Sequence, residues 1–301
     1  MRSVRSSLSC RSLEAGVIGA MSLMPVTASE ATVVRFDTDQ GVIDMTLYDA
    51  LAPATVANFL NYVTSTRYDG TFVHRSAVTQ LGDPFVIQGG GFTYDEVSNT
   101  APGISLDPPV VNEFGLSNTR RTVAMARQGG AVNSATSQWF VNMGDNSFLD
   151  TVDEGFTVFG AVMGDTMDVV DNIAALPRFN LGGAPFNEVP LEDNGATPLA
   201  QSLVFVNSAT VLNLLEGDAN MDNAVGQDDL NAVLLNWGAS GARWDTGDFN
   251  GDATVGQDDL NAVLLNWGST LAEPGSTSVP EPGSLALMAL TGAALVRRSR
   301  G

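Results

Sequence analysis

The sequence predicts a mainly β protein, in which a closed β-barrel capped by two helices is followed by a small α-helical unit. Many short apolar runs broken by Gly, Pro and Asn extend to about residue 162, which is typical of short strands. Two segments with helical apolar spacing accompany these runs, and this combination favours a barrel with helical caps. Further on, GDANMDNAVGQDDLNAVLLNWG at 217–238 recurs as GDFNGDATVGQDDLNAVLLNWG at 247–268, which predicts two copies of one loop-helix unit.

The elements of the barrel follow in chain order. Residues 33–48 alternate apolar and polar side chains around a turn and predict a β-hairpin. A helix begins at Pro53, because proline is tolerated in a first turn, and a second amphipathic helix is predicted at 165–176. Residues 202–212 supply the last strand. The apolar stripes of the two helices consist of Val56, Phe59, Leu60 and Val63, and of Met167, Val170 and Ile173.

Composition excludes several classes of function. The net charge of −20 would repel phosphate backbones, and the 14 positive charges are all arginines, so no nucleic-acid partner is expected. Cys10 is the single cysteine, which excludes an intrachain disulfide and a cysteine-rich metal cage.

Residues 1–30 predict a signal peptide for export. Three arginines precede the apolar run VIGAMSLMPV, and small residues follow at 27–29. Cleavage near residues 28–31 would remove Cys10 with the leader and leave a cysteine-free mature protein. The alternative, a disordered or wrongly assigned start, does not explain why charge, apolar run and small residues come in this order.

Each copy of the repeat predicts a calcium-binding loop. Asp or Asn stands at positions 1, 3 and 5 of a twelve-residue loop and a carboxylate at position 12, and calcium prefers such oxygen ligands. The alternative is a pair of polar turns that cap helices without an ion. The predicted ligands of the two calcium ions are Asp218, Asn220, Asp222 and Asp229 in the first copy, and Asp248, Asn250, Asp252 and Asp259 in the second.

The repeat, at 217–270, resembles the dockerin domain. That resemblance implies calcium-dependent docking onto a cohesin-like protein through loop positions 10 and 11. The sequence departs from the related EF-hand loop at position 6, where Asn223 and Ala253 replace the usual glycine. The contact positions implied by the resemblance are Gln227, Asp228, Gln257 and Asp258.

The stretch TFVHRSAVTQLGDPFVIQGGG at 71–91 holds the single histidine, His74, next to Arg75. A general base needs an orienting partner, a nucleophile or a metal, and the chain has no GxSxG, HExxH or second histidine. His74 is therefore expected to be structural. Arg75 carries a permanent charge beside an apolar run, so it must be used chemically, solvated or paired in a surface salt bridge.

Six motifs follow in order from residue 72 to 162: FVHR, FVIQGGGF, NEFGLSNTRRTVAMAR, NSATSQWFVN, SFLD and TVFGAV. Over about residues 32–178 the sequence resembles the cyclophilin family of peptidyl-prolyl cis/trans isomerases, and in particular its secreted bacterial members. The resemblance implies an eight-stranded antiparallel barrel capped by two helices. It also implies an enzyme that rotates X-Pro peptide bonds and needs no cofactor for catalysis.

The resemblance implies roles for particular residues. Arg75 is the catalytic arginine, with Phe85 and Gln88 as its near partners. The expected substrate-binding residues are Val86, Met125, Ala126, Arg127, Gln138, Phe140, Phe148, Leu149 and Phe156. Nine residues separate Arg75 from Phe85 where the family has about four, so we expect a bulge or a longer loop beside the site that repositions Phe85.

The C-terminus predicts a sorting signal. A linker at 271–278 precedes VPEP, a twelve-residue apolar run and an arginine cluster, which together (279–301) resemble the PEP-CTERM signal of surface proteins. The apolar run is shorter than the roughly 20 residues of a simple membrane-spanning helix. A short buried helix is the alternative, but it fits poorly with the proline-rich lead and the arginines.

These observations lead to two hypotheses of different class. The first is an isomerase domain at 31–212 that acts on proline-containing polypeptides among exported proteins and is tethered through the dockerin-like unit. Its location would be the periplasm, the cell surface or the extracellular space, with membrane contact only during export and sorting. The alternative is a catalytically weak, cyclophilin-like binding or adaptor module displayed outside the cell.

Overall fold

One antiparallel sheet forms the body of the protein. The computed structural model describes residues 30–193 and 199–271. Nine strands pair in the order β3-β11-β1-β2-β8-β6-β7-β5-β4, and β9 pairs separately with β10. The strands are β1 Val33–Thr38, β2 Gly41–Leu47, β3 Thr71–Phe72, β4 Arg75–Val78, β5 Pro84–Gly89, β6 Thr122–Met125, β7 Trp139–Asn142, β8 Val158–Val162, β9 Arg178–Phe179, β10 Val189–Pro190 and β11 Phe205–Val211.

Four α-helices accompany the sheet in the described part of the chain. Helix α1 begins at its proline as predicted, and α2 carries the predicted apolar stripe, since Met167, Val170 and Ile173 are buried. The helices are α1 Pro53–Thr64, α2 Met167–Ala175, α3 Gln227–Leu235 and α4 Gln257–Leu265. Short 3-10 turns occur at Ser147–Asp150, Val152–Glu154, Gly164–Thr166, Leu199–Gln201 and Trp244–Thr246.

Aromatic side chains fill the core between the sheet and α1. The ring of Phe36 on β1 lies 6.0 Å from that of Phe59 on α1 and 5.4 Å from that of Trp139 on β7. All three side chains are buried, and aromatic rings at these separations add to the stabilisation from apolar burial. This core holds β5 and β7, the strands that carry most of the candidate site, in fixed positions.

The mainly β fold is confirmed, but the predicted closed barrel of eight strands is not: the sheet has nine strands, and its order ends at β3 and β4, which do not pair with each other. The segment from Thr71 to Val78 changes partners midway. Val73 donates its amide hydrogen to Val204, next to β11, whereas His74 donates to Gln88 on β5. This segment therefore counts as two strands, β3 and β4, which are the two ends of the sheet.

The repeat packs against the start of β1 and the ends of β2 and β8. The amide of Ala31 donates to the Phe249 carbonyl at 2.7 Å, and the amide of Gly164 donates to Oδ2 of Asp245 at 2.9 Å. Ala31, Val33 and Met163 share a buried apolar cluster with Phe249 and other residues of the repeat. The two loop-helix copies thus share a core with the N-terminal part of the chain.

Parts of the sequence predictions fall outside the described residues. These parts are the leader at 1–29, the residues at 194–198 and the tail at 272–301. Within the described ranges, none of the helices has the length and apolar character needed to cross a membrane.

Candidate active site

A β-hairpin brings Arg75 and Gln88 together. Strands β4 and β5 are antiparallel, with Arg75 opposite Gln88 and Ala77 opposite Val86. The register shifts after Ala77, and the bulge accommodates Phe85 in the longer strand. The extra residues form a turn that closes on itself, because the amide of Thr79 donates to the Asp83 carbonyl at 2.8 Å.

The hairpin borders an open cavity of about 480 Å³. Both polar and apolar side chains from β4, β5 and β7 and from several loops face this space. Its lining residues are Arg75, Phe85, Val86, Gln88, Ala126, Arg127, Phe140, Leu149, Phe156, Ala184, Pro185 and Asn187. None of the residues of the turn at 79–83 is among them, so the longer connection leaves the cavity open.

The apolar wall of the cavity is built from aromatic rings supported by their neighbours. The Phe85 ring stacks on Phe148 with centroids 5.6 Å apart, and Phe140 meets Phe156 edge to face at 5.9 Å. Phe140 and Leu149 are nearly buried, whereas Phe148 is 55% exposed. A wall of this kind suits a compact apolar ring such as that of proline.

A chain of hydrogen-bonded polar side chains reaches the cavity at Arg75 and Gln88. Nη1 of Arg75 donates to Oε1 of Gln88 at 3.4 Å, and Nε2 of Gln88 donates to Oε1 of Gln138 at 2.8 Å. On its other edge, Nε of Arg75 donates to Oε2 of Glu188 at 3.2 Å. The guanidinium is therefore both paired in a salt bridge and part of the cavity surface.

Arg127 supports the turn that carries Phe156. Its Nη2 donates to the carbonyls of Asp153 at 2.7 Å and Gly155 at 3.0 Å, and its guanidinium carbon lies 4.4 Å from the centre of the Phe156 ring. A cation above an aromatic face is attracted by the ring quadrupole. Arg127 lines the cavity, and its Nε and Nη1 are buried without a hydrogen-bond partner among the described residues.

Known proteins resemble this chain in sequence over most of the strands of the sheet. The sequence model of the cyclophilin-type peptidyl-prolyl cis-trans isomerase/CLD family matches residues 33–195. The chain belongs to the cyclophilin family. The model of the PEP-CTERM protein-sorting motif matches residues 278–300, which confirms the sorting signal predicted for the tail.

Individual cyclophilins resemble the chain over most of their own length. Peptidyl-prolyl cis-trans isomerase A of Dickeya dadantii (strain 3937) is 39% identical over 184 residues, which is 58% of this chain and 90% of that protein. The peptidyl-prolyl cis-trans isomerase of Acinetobacter baylyi is 40% identical over 55% of this chain and 84% of its own. Isomerase B of Escherichia coli (strain K12) is 40% identical over 54% and 94%.

The structure brings most of the predicted cyclophilin site residues to one cavity. Gln138 and Phe148 stand behind Gln88 and Phe85, with which they are in contact. Met125 does not line the cavity: its side chain is 1% exposed and belongs to the main apolar core, because successive side chains of a strand point to opposite faces. Its predicted role in substrate binding is therefore wrong.

The sequence predictions missed one wall of the cavity. Ala184, Pro185 and Asn187 line it, and Glu188 reaches Arg75, although more than a hundred residues separate the two in the chain. The segment is rich in Gly, Pro and Asn, which signals a turn but not its place against the sheet.

His74 lies behind the site and is fully buried. Its ring meets the Phe92 ring edge to face at 5.0 Å. Burial, together with the neighbouring Arg75 charge, lowers the pKa of His74 to about 4, so the ring is neutral at neutral pH. A neutral ring packed among phenylalanines agrees with a structural role.

The carboxylates of the repeat accept hydrogen bonds from backbone amides of their own loops. Asp218 accepts the amides of Asp222 at 3.2 Å and Asn223 at 2.8 Å, and Asp248 accepts those of Gly251 at 2.8 Å and Ala253 at 2.9 Å. Asp229 and Asp259 accept the amides that precede helices α3 and α4. Asn220 and Asn250 donate their side-chain amides to Asp222 and Asp252.

These hydrogen bonds show how the loops hold their shape. In the described part of the chain no group of three or more His, Cys, Asp or Glu side chains is placed to hold a metal ion, so the structure does not support the calcium prediction. Burial, with the nearby Asp259 and Asp252, raises the pKa of Asp248 to about 7. The predicted partner contacts Gln227, Asp228, Gln257 and Asp258 are exposed in the first turns of α3 and α4.

Proposed function

We propose that the cavity binds the proline of a polypeptide and that Arg75 catalyses rotation about the preceding peptide bond. The observation that carries this proposal is that the Arg75 guanidinium and the apolar wall of Phe85, Phe140 and Leu149 border the same space. An apolar surface beside a cation can hold a proline ring and reach its nitrogen at the same time.

The reaction needs no nucleophile because no covalent bond breaks. Resonance in the C–N bond imposes a barrier of about 18 to 20 kcal/mol on rotation. In the twisted state the prolyl nitrogen is pyramidal, and its lone pair is available to accept a hydrogen bond from Arg75. A charge-assisted bond made only in that state contributes about 1.5 to 3 kcal/mol, or roughly 10- to 100-fold in rate.

The remaining polar groups anchor the substrate. Nε2 of Gln88 donates to Gln138 at 2.8 Å, so Gln88 can position Arg75 through its Oε1 or donate the second hydrogen of Nε2 to the substrate carbonyl. Ala126 and Arg127 line the cavity next to these groups, at the place where the substrate backbone would run. Anchoring on both sides of the proline fixes the chain while the peptide bond turns.

The alternative of a weak binding module rested on the long connection after Arg75. The structure places that connection in a self-closed turn, with Leu81 90% exposed and outside the cavity. No observation therefore favours the alternative over the enzyme.

A proline-isomerisation assay on a model peptide tests the catalytic proposal. We expect Arg75→Ala to lower kcat/KM by about 10- to 100-fold, because it removes the charge-assisted hydrogen bond. Arg178→Ala is the matched control, since Arg178 is exposed and does not line the cavity. Equal rates for the wild type and Arg75→Ala would contradict the catalytic role of Arg75.

The proposal extends to the place of action: the enzyme assists the folding of exported proteins. The match to the sorting motif at 278–300 supports export. Deletion of residues 278–301 should release the protein from the cell envelope into the medium without lowering its isomerase activity. Identical fractionation of the full chain and the deletion variant would contradict this.

Tethering through a dockerin-like unit stays a prediction from sequence resemblance, as do its calcium ions and a cohesin-like partner. Calorimetry with calcium on the metal-stripped protein tests it, with about two ions per chain expected from the two loops. The double variant Asp218→Ala and Asp248→Ala is the control and should bind neither. Absence of binding to the wild type would contradict the calcium prediction.

A further inference from the structure

One wall of the cavity is formed by the segment at 180–188, which follows helix α2. Strands β9 and β10 flank the segment and pair with each other, with Val189 opposite Phe179. Phe186 packs edge to face on Phe92 at 4.8 Å, and its carbonyl accepts the amide of Leu181 at 2.8 Å. These contacts fix the segment against the sheet, so the side chains at its end have defined positions.

Glu188 makes two contacts with β4 from the end of this segment. Its backbone carbonyl accepts the amide of Ser76 at 2.7 Å, and its Oε2 accepts Nε–H of Arg75 at 3.2 Å. The backbone contact sets the distance between the segment and the strand, and the carboxylate then meets the guanidinium directly.

Two of the nitrogens of the Arg75 guanidinium donate hydrogen bonds to neighbouring side chains. Nε is held by Glu188, and Nη1 is held by Gln88 at 3.4 Å. Among the described residues, Nη2 has no hydrogen-bond partner, and Arg75 borders the cavity. Because the guanidinium is planar, hydrogen bonds at two of its nitrogens also fix the direction of the third.

We propose that Glu188 is a positioning residue for Arg75, which holds the guanidinium so that Nη2 points at the substrate. This inference rests on the proposed catalytic role of Arg75. The side chains of Arg75 and Glu188 are 33% and 25% exposed, so water screens the pair and its effect on stability is small. Its effect on catalysis is larger, because a mobile arginine side chain must lose rotamer freedom in the transition state.

Kinetics of Glu188 variants test the proposal. We expect Glu188→Ala to lower kcat by about 5-fold with KM changed less than about twofold, because the contact acts on the transition state. Glu188→Gln keeps an oxygen acceptor and should recover part of the loss. Glu192→Gln is the matched control: Glu192 is exposed, and its Oε1 accepts a hydrogen bond from Gln40 outside the cavity. It should match the wild type.

A double-mutant cycle separates this inference from the catalytic role of Arg75. In an Arg75→Ala background, Glu188→Ala should have no further effect on kcat, whereas independent effects would multiply. If Arg75→Ala abolishes activity and Glu188→Ala alone leaves kcat unchanged, the positioning role is overturned and the proposed function stands. If Arg75→Ala itself has no effect, the catalytic role falls. A loss in Glu188→Ala that is matched by a large drop in melting temperature would also overturn positioning.

Discussion

The amide of Trp244 donates a 2.9 Å hydrogen bond to Oγ1 of Thr46, although the two residues lie 198 positions apart in the chain. Trp244 belongs to the connection between the two repeat copies, and Thr46 lies on β2 of the sheet. Both residues are buried. The repeat therefore packs on the sheet of the isomerase domain. We expect the two parts to unfold in one cooperative transition.

Replacement of Trp244 tests this joint unfolding. Trp244 is 3% exposed and its Nε1 donates to the Asp218 carbonyl at 2.6 Å, so Trp244→Ala should cost about 3 to 5 kcal/mol of unfolding free energy. Trp267→Ala is the control, because that side chain is 48% exposed, and it should cost less than about 1 kcal/mol. Denaturant unfolding followed by circular dichroism measures both. Two separate transitions, with the sheet unaffected by Trp244→Ala, would show that the parts are independent.

Gly251 marks the closest approach of the second loop to the sheet. Its φ is +70°, and a Cβ there would lie 3.0 Å from the Asp49 amide nitrogen and 3.1 Å from the Leu47 carbonyl oxygen. Gly268 has a similar φ of +78° but open space around it. Both alanine variants lose about 1 to 2 kcal/mol from the left-handed backbone, and Gly251→Ala should lose roughly 1 to 3 kcal/mol more from the backbone clash. Equal melting temperatures for the two variants would contradict the close packing.

The difference between the repeat copies shows what the sequence could and could not predict. The shared QDDLNAVLLNWG predicts a helix in each copy, and both helices form. Three of the four differences between the copies are Ala219, Met221 and Asn223, which correspond to Phe249, Gly251 and Ala253. In the second copy these residues face the sheet, which is a long-range contact that periodicity cannot reveal.

The residues of the candidate site likewise fall into those that the sequence could predict and those that it could not. The motif around Arg75 and Gln88 lies on one hairpin, so local pairing alone brings these side chains together, and the sequence was sufficient to predict them. Glu188 reaches the site only because its segment folds back across the sheet, and a turn-rich composition contains no information about that path. Met125 was misplaced because its neighbours in the motif line the cavity while its own side chain faces the core.

Burial of neutral His74 predicts a dependence of stability on pH. Its pKa is about 4 in the folded protein against 6.5 for an ordinary histidine, so the unfolded chain binds the proton more tightly. The stability associated with neutral His74 is complete above about pH 6.5 and is lost as the pH falls towards 4, by about 3 kcal/mol in all. His74→Phe keeps a ring beside Phe92 but cannot titrate. The unfolding free energy of the wild type minus that of the variant should fall by about 3 kcal/mol from pH 7 to 4; a constant value would contradict this.

The Phe85 side chain tests the apolar wall of the site without disturbing its backbone. The Phe85 carbonyl accepts the amide of Met143 and the side-chain amide of Asn146, each at 2.9 Å, and Phe85→Ala leaves both bonds in place. Loss of the ring removes apolar contact with the bound proline worth about 1.5 kcal/mol, so kcat/KM should fall about 10-fold. Phe148→Ala is the control, because Phe148 is 55% exposed and supports Phe85 from outside the cavity; we expect less than about a threefold effect. If Phe85→Ala leaves kcat/KM within about twofold of the wild type, the proline does not bind against Phe85, and the wall formed by Phe140 and Leu149 alone must hold it.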